Sequence, residues 1–202
     1  MMGRPKHRSG FGLSLVLSAL FLLIAVPAHA INYVDEAEVW FARITTMKAD
    51  FTQIVSDGTI AEGELHLRRP HRMKIIYDLD EPLVLLTTPV WLHVDRPEDR
   101  TLTSYPISET PLSLILQEEV KLRSDEFRTK SFLRDGIISI VMEKRTGKAA
   151  GVLTLEFTER PFELRRWTIV DAADITTTVT LQNMRFGHKY ENKFFTPSSY
   201  QR

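Results

Sequence analysis

The chain has 202 residues, with 26 basic and 26 acidic side chains, six histidines and no cysteine. Charge neutrality excludes the basic footprint of a nucleic-acid binder, and the absence of cysteine excludes disulfides, thiolate metal sites and lipid attachment at an N-terminal cysteine.

The chain opens with Arg4, Lys6 and Arg8 and no acid, continues through the apolar run Phe11 to Val26, and reaches the small-residue triplet Ala28-His29-Ala30. This is the grammar of a cleavable secretory signal, with cleavage expected near Ala30. The run is shorter than the roughly 20 apolar residues that span a bilayer, and Pro27 ends it. The expected exported product is one domain, Ile31 to Arg202, of 172 residues. Its 23 bases against 26 acids leave a net charge near minus three. With no anchoring cysteine, it is expected to be a monomer that is soluble in the space to which it is exported.

From Tyr33 to Met47, Val34, Ala37, Phe41 and Ile44 recur at three- and four-residue steps between charged residues, which predicts an amphipathic helix. Asn32 suits its N-cap. Short strands follow at Phe51–Val55, Glu62–Arg68, Arg72–Tyr77, Leu83–Thr87, Val90–Val94 and Arg100–Ser104, separated by Gly, Pro and Asp turns. Thr110 as N-cap and Pro111 at the first helical position then predict a short second helix through Glu118, with Leu112, Ile115 and Leu116 on one face. Strands resume at Ile137–Glu143, Val152–Phe157, Glu163–Val170 and Thr176–Phe186. About ten strands at this spacing, with little helix between them, indicate an antiparallel barrel or strongly bent sheet. Two apolar helix stripes could close its mouth.

One residue breaks the strand alternation. In Gly63-Glu64-Leu65-His66-Leu67-Arg68-Arg69-Pro70 the odd positions carry Gly, Leu, Leu and then Arg, so Arg69 falls on the face of the leucines. A guanidinium keeps its proton and has five N–H donors to satisfy. Arg69 is therefore either a latch that bonds something across the interior or a side chain that snorkels past the strand end.

Ala49-Asp50-Phe51-Thr52-Gln53, Gly63-x-Leu65-x-Leu67-x-Arg69-Pro70, Trp91 within a strand and Thr110-Pro111-Leu112 opening a helix are found in that order behind a secretory signal. In this the chain resembles the LolA family of periplasmic lipoprotein carriers, from about residue 33 to 197. The resemblance implies an unclosed eleven-stranded antiparallel β-barrel with a helical lid, whose interior takes the acyl chains of lipoproteins released from the inner membrane. It implies an inner-membrane ABC lipoprotein exporter as donor, and an outer-membrane acceptor or the outer membrane itself as destination. It makes Arg69 the lid latch and aligns Met73 with a bulky cargo-handling position. Two departures stand out: Thr88-Pro89-Val90-Trp91 replaces the family's Asp-Gly turn, and the tail after Thr196 is short.

The expected acyl-chain cavity is lined by Phe51, Leu65, Leu67, Met73, Ile75, Tyr77, Val84, Leu86, Val90, Leu92 and Val94. The lid contributes Val34, Phe41, Ile44, Leu112, Ile115 and Leu116. Each of these residues also reads as plain core. No catalytic residue, metal site or cofactor is expected: His66 and His93 read as surface histidines, and Asp78 and Asp80 flank a turn. A lipid- or lipoprotein-sensing regulatory module of the same barrel shape is the alternative reading.

Overall fold

A computed structural model describes residues 32–144, 147 and 150–200. The expected signal segment lies outside the described residues. The helix α1 (Tyr33–Arg43) leads into six strands, β1 (Thr46–Val55), β2 (Ile60–Arg68), β3 (Arg72–Tyr77), β4 (Val84–Thr87), β5 (Trp91–Arg96) and β6 (Thr101–Pro106). A 3-10 turn at Ile107–Glu109 and the one-turn helix α2 (Ser113–Leu116) follow. Then come β7 (Arg128–Arg134), β8 (Ile137–Lys144), β9 (Gly151–Thr158), β10 (Glu163–Asp171), β11 (Thr176–Phe186) and a final 3-10 turn at Asn192–Phe195. The strands form one 11-stranded sheet in the order β6-β5-β4-β3-β2-β1-β11-β10-β9-β8-β7, antiparallel throughout, with β6 and β7 as unjoined edges. The architecture is an unclosed antiparallel β-barrel covered by helices.

Register sets the inner face. Met47, Ala49 and Phe51 of β1 align with Leu67, Leu65 and Gly63 of β2, which align with Met73, Ile75 and Tyr77 of β3. Ile138, Ile140 and Met142 of β8 align with Phe157, Leu155 and Leu153 of β9. These residues join Val34, Ala37 and Phe41 of α1 and Ile115 and Leu116 of α2 in one buried core.

Four expectations are corrected. The first helix ends at Arg43, and the strand expected from Phe51 already starts at Thr46. Thr45 and Thr46 are stiff β-branched residues that favour extended backbone, and Met47, Ala49 and Phe51 are buried at strand period. The strand β7, Arg-Thr-Lys-Ser-Phe-Leu-Arg, had no predicted counterpart because it is an exposed edge with no apolar alternation to read. The second helix is four residues long and is capped at Leu112, not at the expected Thr110, whereas Asn32 is the N-cap of α1 as expected, its carbonyl accepting from Glu36 N at 3.1 Å. Thr110 donates its hydroxyl back to Ile107 O at 2.9 Å, and Asn32 makes no side-chain cap but accepts through Oδ1 from Arg123.

Gly63 is required by a close approach. A Cβ there would lie 2.0 Å from the Ile76 carbonyl oxygen and 3.0 Å from the Phe51 ring, which packs edge-on against Tyr77 with ring centroids 5.3 Å apart. Gly63→Ala should therefore cost about 1–3 kcal/mol of stability through overpacking, read as a lower denaturant midpoint at unchanged slope.

The C-terminal segment covers the outer face of β2 to β5. Tyr190 donates to Met47 O at 3.1 Å and pairs with His66 Nδ1 at 3.2 Å, Phe194 lies under Lys74 Nζ at 4.6 Å, and Tyr200 donates to Asp95 Oδ1 at 2.6 Å. His66 and His93 are therefore buried, at 5% and 9% exposure, and are not surface histidines. Burial holds the His66 imidazole below its usual range against the pull of Glu64, whose Oε2 is 3.3 Å from Nε2, while Lys48 and Lys74 push the same way as burial. His93 shifts in the same direction through burial, opposed by Asp95. A base that is harder to protonate in the folded state binds fewer protons there than in the unfolded chain. Its stabilisation is complete above the ordinary histidine value of 6.5 and is lost as pH falls below that toward the folded value. Unfolding curves should thus show a midpoint that drops between neutral pH and about pH 5, with a shallower drop in His66→Gln.

Candidate functional site

The β2–β3 turn reaches up to both helices. Arg69 Nη1 donates to Phe41 O in the last turn of α1, and Nη2 donates to Gln117 O at 2.5 Å and Glu118 O at 3.2 Å, just beyond α2. The backbone repeats the pattern: Arg69 N donates to Thr45 O at 2.8 Å and His71 N to Leu116 O at 2.7 Å. Phe41 O also accepts from Ile44 N at 3.2 Å, and as a carbonyl at a helix C-terminus it carries partial negative charge, so a fixed cation is the complementary group. Burial lowers the Arg69 pKa, and arginine still remains charged. One guanidinium thus ties the ends of both helices to the barrel rim.

The turn is itself braced from below. Thr87, fully buried at the end of β4, accepts from Met73 N at 2.8 Å and donates to His71 O at 2.9 Å. A second set of contacts holds the other end of α1, where Glu38 accepts from Leu122 N at 2.7 Å and Arg123 pairs with Asp35. No sequence pattern singled out Thr87, Glu38 or Arg123, since each is defined by a partner distant in the chain.

Of the residues expected in the cavity, Phe51, Leu65, Leu67, Met73, Ile75 and Tyr77 are buried on the inner face, and Leu92 and Val94 share that face by register with Thr87 and Leu85. Three expectations fail. Val84 and Leu86 pair with Ile76 and Lys74 and with Asp95 and His93, so they sit on the outer face beneath the C-terminal segment. Val90 precedes β5 and is 59% exposed at a hairpin tip. The lid residues Val34, Phe41, Ile115 and Leu116 are buried in the core, and Ile44 and Leu112 pack against it half-buried.

The interior beneath α1 is filled. Phe157 meets Trp40 and Phe41 edge-on at 5.6 and 6.2 Å and stacks on Phe162 at 4.7 Å. Open space lies instead beside α2, in a cavity of about 510 Å³ between that helix and the ends of β8 and β9. Leu114, Leu116, Ile107, Phe127, Met142 and Leu153 supply its apolar wall, while Lys121, Lys144 and Glu126 reach it. Of the residues expected to line a chamber or its lid, only Leu116 does so. The cleft is bordered by Ile107, just after the edge strand β6, and Phe127, just before the edge strand β7, so it lies where the sheet fails to close.

Among the described residues no helix is long and apolar enough to cross a membrane. A family model described as outer membrane lipoprotein carrier protein LolA matches residues 42–198. No curated protein sequence matches the chain. Among solved structures, a DUF1329 family protein from Desulfovibrio piger is similar at 10% identity and a TM-score of 0.51, covering 81% of this chain and 95% of that one. An uncharacterized conserved protein from Thermus thermophilus is similar at 8% identity and a TM-score of 0.51, covering 83% of this chain and 95% of that one. A LolA superfamily protein from Nitrosomonas europaea aligns at 7% identity and a TM-score of 0.48, over 83% of this chain and 99% of that one.

Proposed function

The chain belongs to the LolA family, and on that premise we propose that it is a periplasmic carrier that binds the acyl chains of lipoproteins released from the inner membrane and delivers them to the outer membrane. The observation that carries the reading is the Arg69 guanidinium bonded at once to α1 and to the segment after α2. A plain structural barrel needs no such charged tie to helices that already bury Val34, Ala37, Phe41, Ile115 and Leu116. A carrier does, because it must hold a lipid and also give it up.

Each CH₂ buried on capture contributes about 0.8 kcal/mol, so two or three acyl chains would bind too tightly to leave unless something opposes them. Closure is that opposing term: affinity falls by whatever the empty, latched state gains. Here the empty state gains the Arg69 bonds and the packing of Phe41 and Trp40 on Phe157. Acyl chains entering beside α2 would displace α1 from that aromatic floor, breaking the latch, and release would follow as the latch re-forms. The donor in this scheme is an inner-membrane ABC exporter. The recipient is an outer-membrane acceptor or that membrane itself.

Native mass spectrometry of the protein purified from its own periplasm tests the reading. An acylated protein should travel with it, and incubation with spheroplasts should release more of the same cargo into solution. Only unliganded protein in the first measurement, with no solubilised client in the second, would overturn it.

A further inference from the structure

The hairpin between β4 and β5 ends in Thr88-Pro89-Val90-Trp91, a tip built without the glycine or asparagine usual for tight turns. Thr88 closes it from both sides: its N–H donates to Trp91 O at 2.8 Å and its Oγ1 accepts from Trp91 N at 3.1 Å. Val90 O accepts from Ile107 N at 2.9 Å, which fixes the tip to the end of β6. Proline and these bonds make it stiff. What it presents is apolar: Val90 is 59% exposed, Trp91 43%, and Tyr105, paired in register with Leu92, 51%. A stiff hairpin with a branched aliphatic residue at its tip, flanked by Trp91 on the outer face of the sheet and by Tyr105 on the inner face it shares with Leu92, is held toward a partner.

We infer that the Pro89–Trp91 tip with Tyr105 is a docking surface for the lipid bilayer, beside the cleft through which acyl chains pass. Two observations select a bilayer. Trp and Tyr have the chemistry that settles at the boundary of hydrocarbon and headgroup, apolar in body and polar at one end. Thr88 and Pro89 of the same turn also line the cavity beside α2, so the apolar patch and the cleft are continuous. Lys121 and Lys144, on the cleft's other walls, are paired with Glu119 at 3.2 Å and Glu126 at 3.0 Å, so the rim is close to neutral and its fit to a bilayer is apolar. No carboxylate belongs to the tip itself. A lipid would then leave the cleft directly into the bilayer touched by the tip, without crossing water.

The inference rests on the carrier reading for its purpose, yet its test uses no cargo. The exported chain is mixed with vesicles of phosphatidylethanolamine and phosphatidylglycerol, and with neutral phosphatidylcholine vesicles, and bound protein is measured by flotation and tryptophan emission. The wild-type protein should float with both kinds of vesicle, with a blue shift that Trp91→Phe removes. Val90→Asp and Tyr105→Ser should each weaken vesicle binding about tenfold, the effect of losing one well-buried apolar group, with melting temperature and native cargo unchanged. Absence of wild-type flotation, or equal flotation of both variants, overturns the inference. So does loss of loading from the exporter with vesicle binding intact, which would make the patch a protein interface. Vesicle binding by a protein that never carries an acylated client would instead sink the carrier reading and leave this one standing.

Discussion

Arg69→Leu is expected to capture an acylated protein as well as the parent, or better, and to pass it to a second acceptor about tenfold more slowly or less completely. The guanidinium donates to three carbonyls, on Phe41, Gln117 and Glu118. A hydrogen bond with a charged donor contributes on the order of 1.5–3 kcal/mol, and 1.4 kcal/mol is a factor of ten in an equilibrium. Losing even one such bond from the closed state, with nothing lost from the loaded state, shifts the balance toward retention by that factor. Leucine keeps apolar bulk near the rim, so the change falls on the latch and spares the core. Arg69→Lys should be intermediate, since an ammonium can reach one carbonyl but cannot fork to both helices. The measurement is a reconstituted transfer assay with separate readouts for cargo bound and cargo delivered. Equal delivery by all three proteins would show that the guanidinium is only a structural rivet.

Arg69 was legible in the sequence because strand parity is a strict period of two: a charge in phase with Leu65 and Leu67 had to meet acceptors or leave the sheet. Its acceptors were not legible. They are backbone carbonyls on elements 28 and 48 residues away, and backbone carries no residue signature. The same asymmetry holds for the strands. Those whose residues alternate between buried and half-buried positions, such as β3 and β9, were found within a residue or two. The edge strand β7 is wet on both faces, and β4 sits in the continuous apolar run Leu83-Val84-Leu85-Leu86. A continuous run gives no phase. Val84 and Leu86 were accordingly assigned to the inside, where Leu85 lies. The cause is the C-terminal segment, which buries the outer face of this part of the sheet under Tyr190, Phe194 and Phe195 and makes both sides of β4 apolar.

Where empty space would lie was the least legible feature, because a buried phenylalanine reads alike whether it lines a void or fills one. Phe157 fills one. Its ring is fully buried, touches Trp40 and Phe41 of α1 and stacks on Phe162. Under the carrier reading it occupies part of the volume that acyl chains take when α1 lifts, so Phe157→Ala separates two quantities that the wild-type protein couples. Deleting the ring should destabilise the empty protein by about 3–5 kcal/mol, the cost of removing a buried aromatic side chain and leaving a cavity. That loss would lower the melting temperature by about 6–20 °C for a domain of this size. The cavity so made is apolar and lies under α1, so a fatty acid should fill it and restore stability by mass action, about 2.7 kcal/mol at a hundred times its dissociation constant. The parent, with the ring in place, should gain far less from the same fatty acid. Calorimetric melts of both proteins with and without palmitate decide the matter: a variant that loses stability and is not rescued would show that the space beneath α1 is ordinary core, and would move the proposed lipid site to the cleft beside α2.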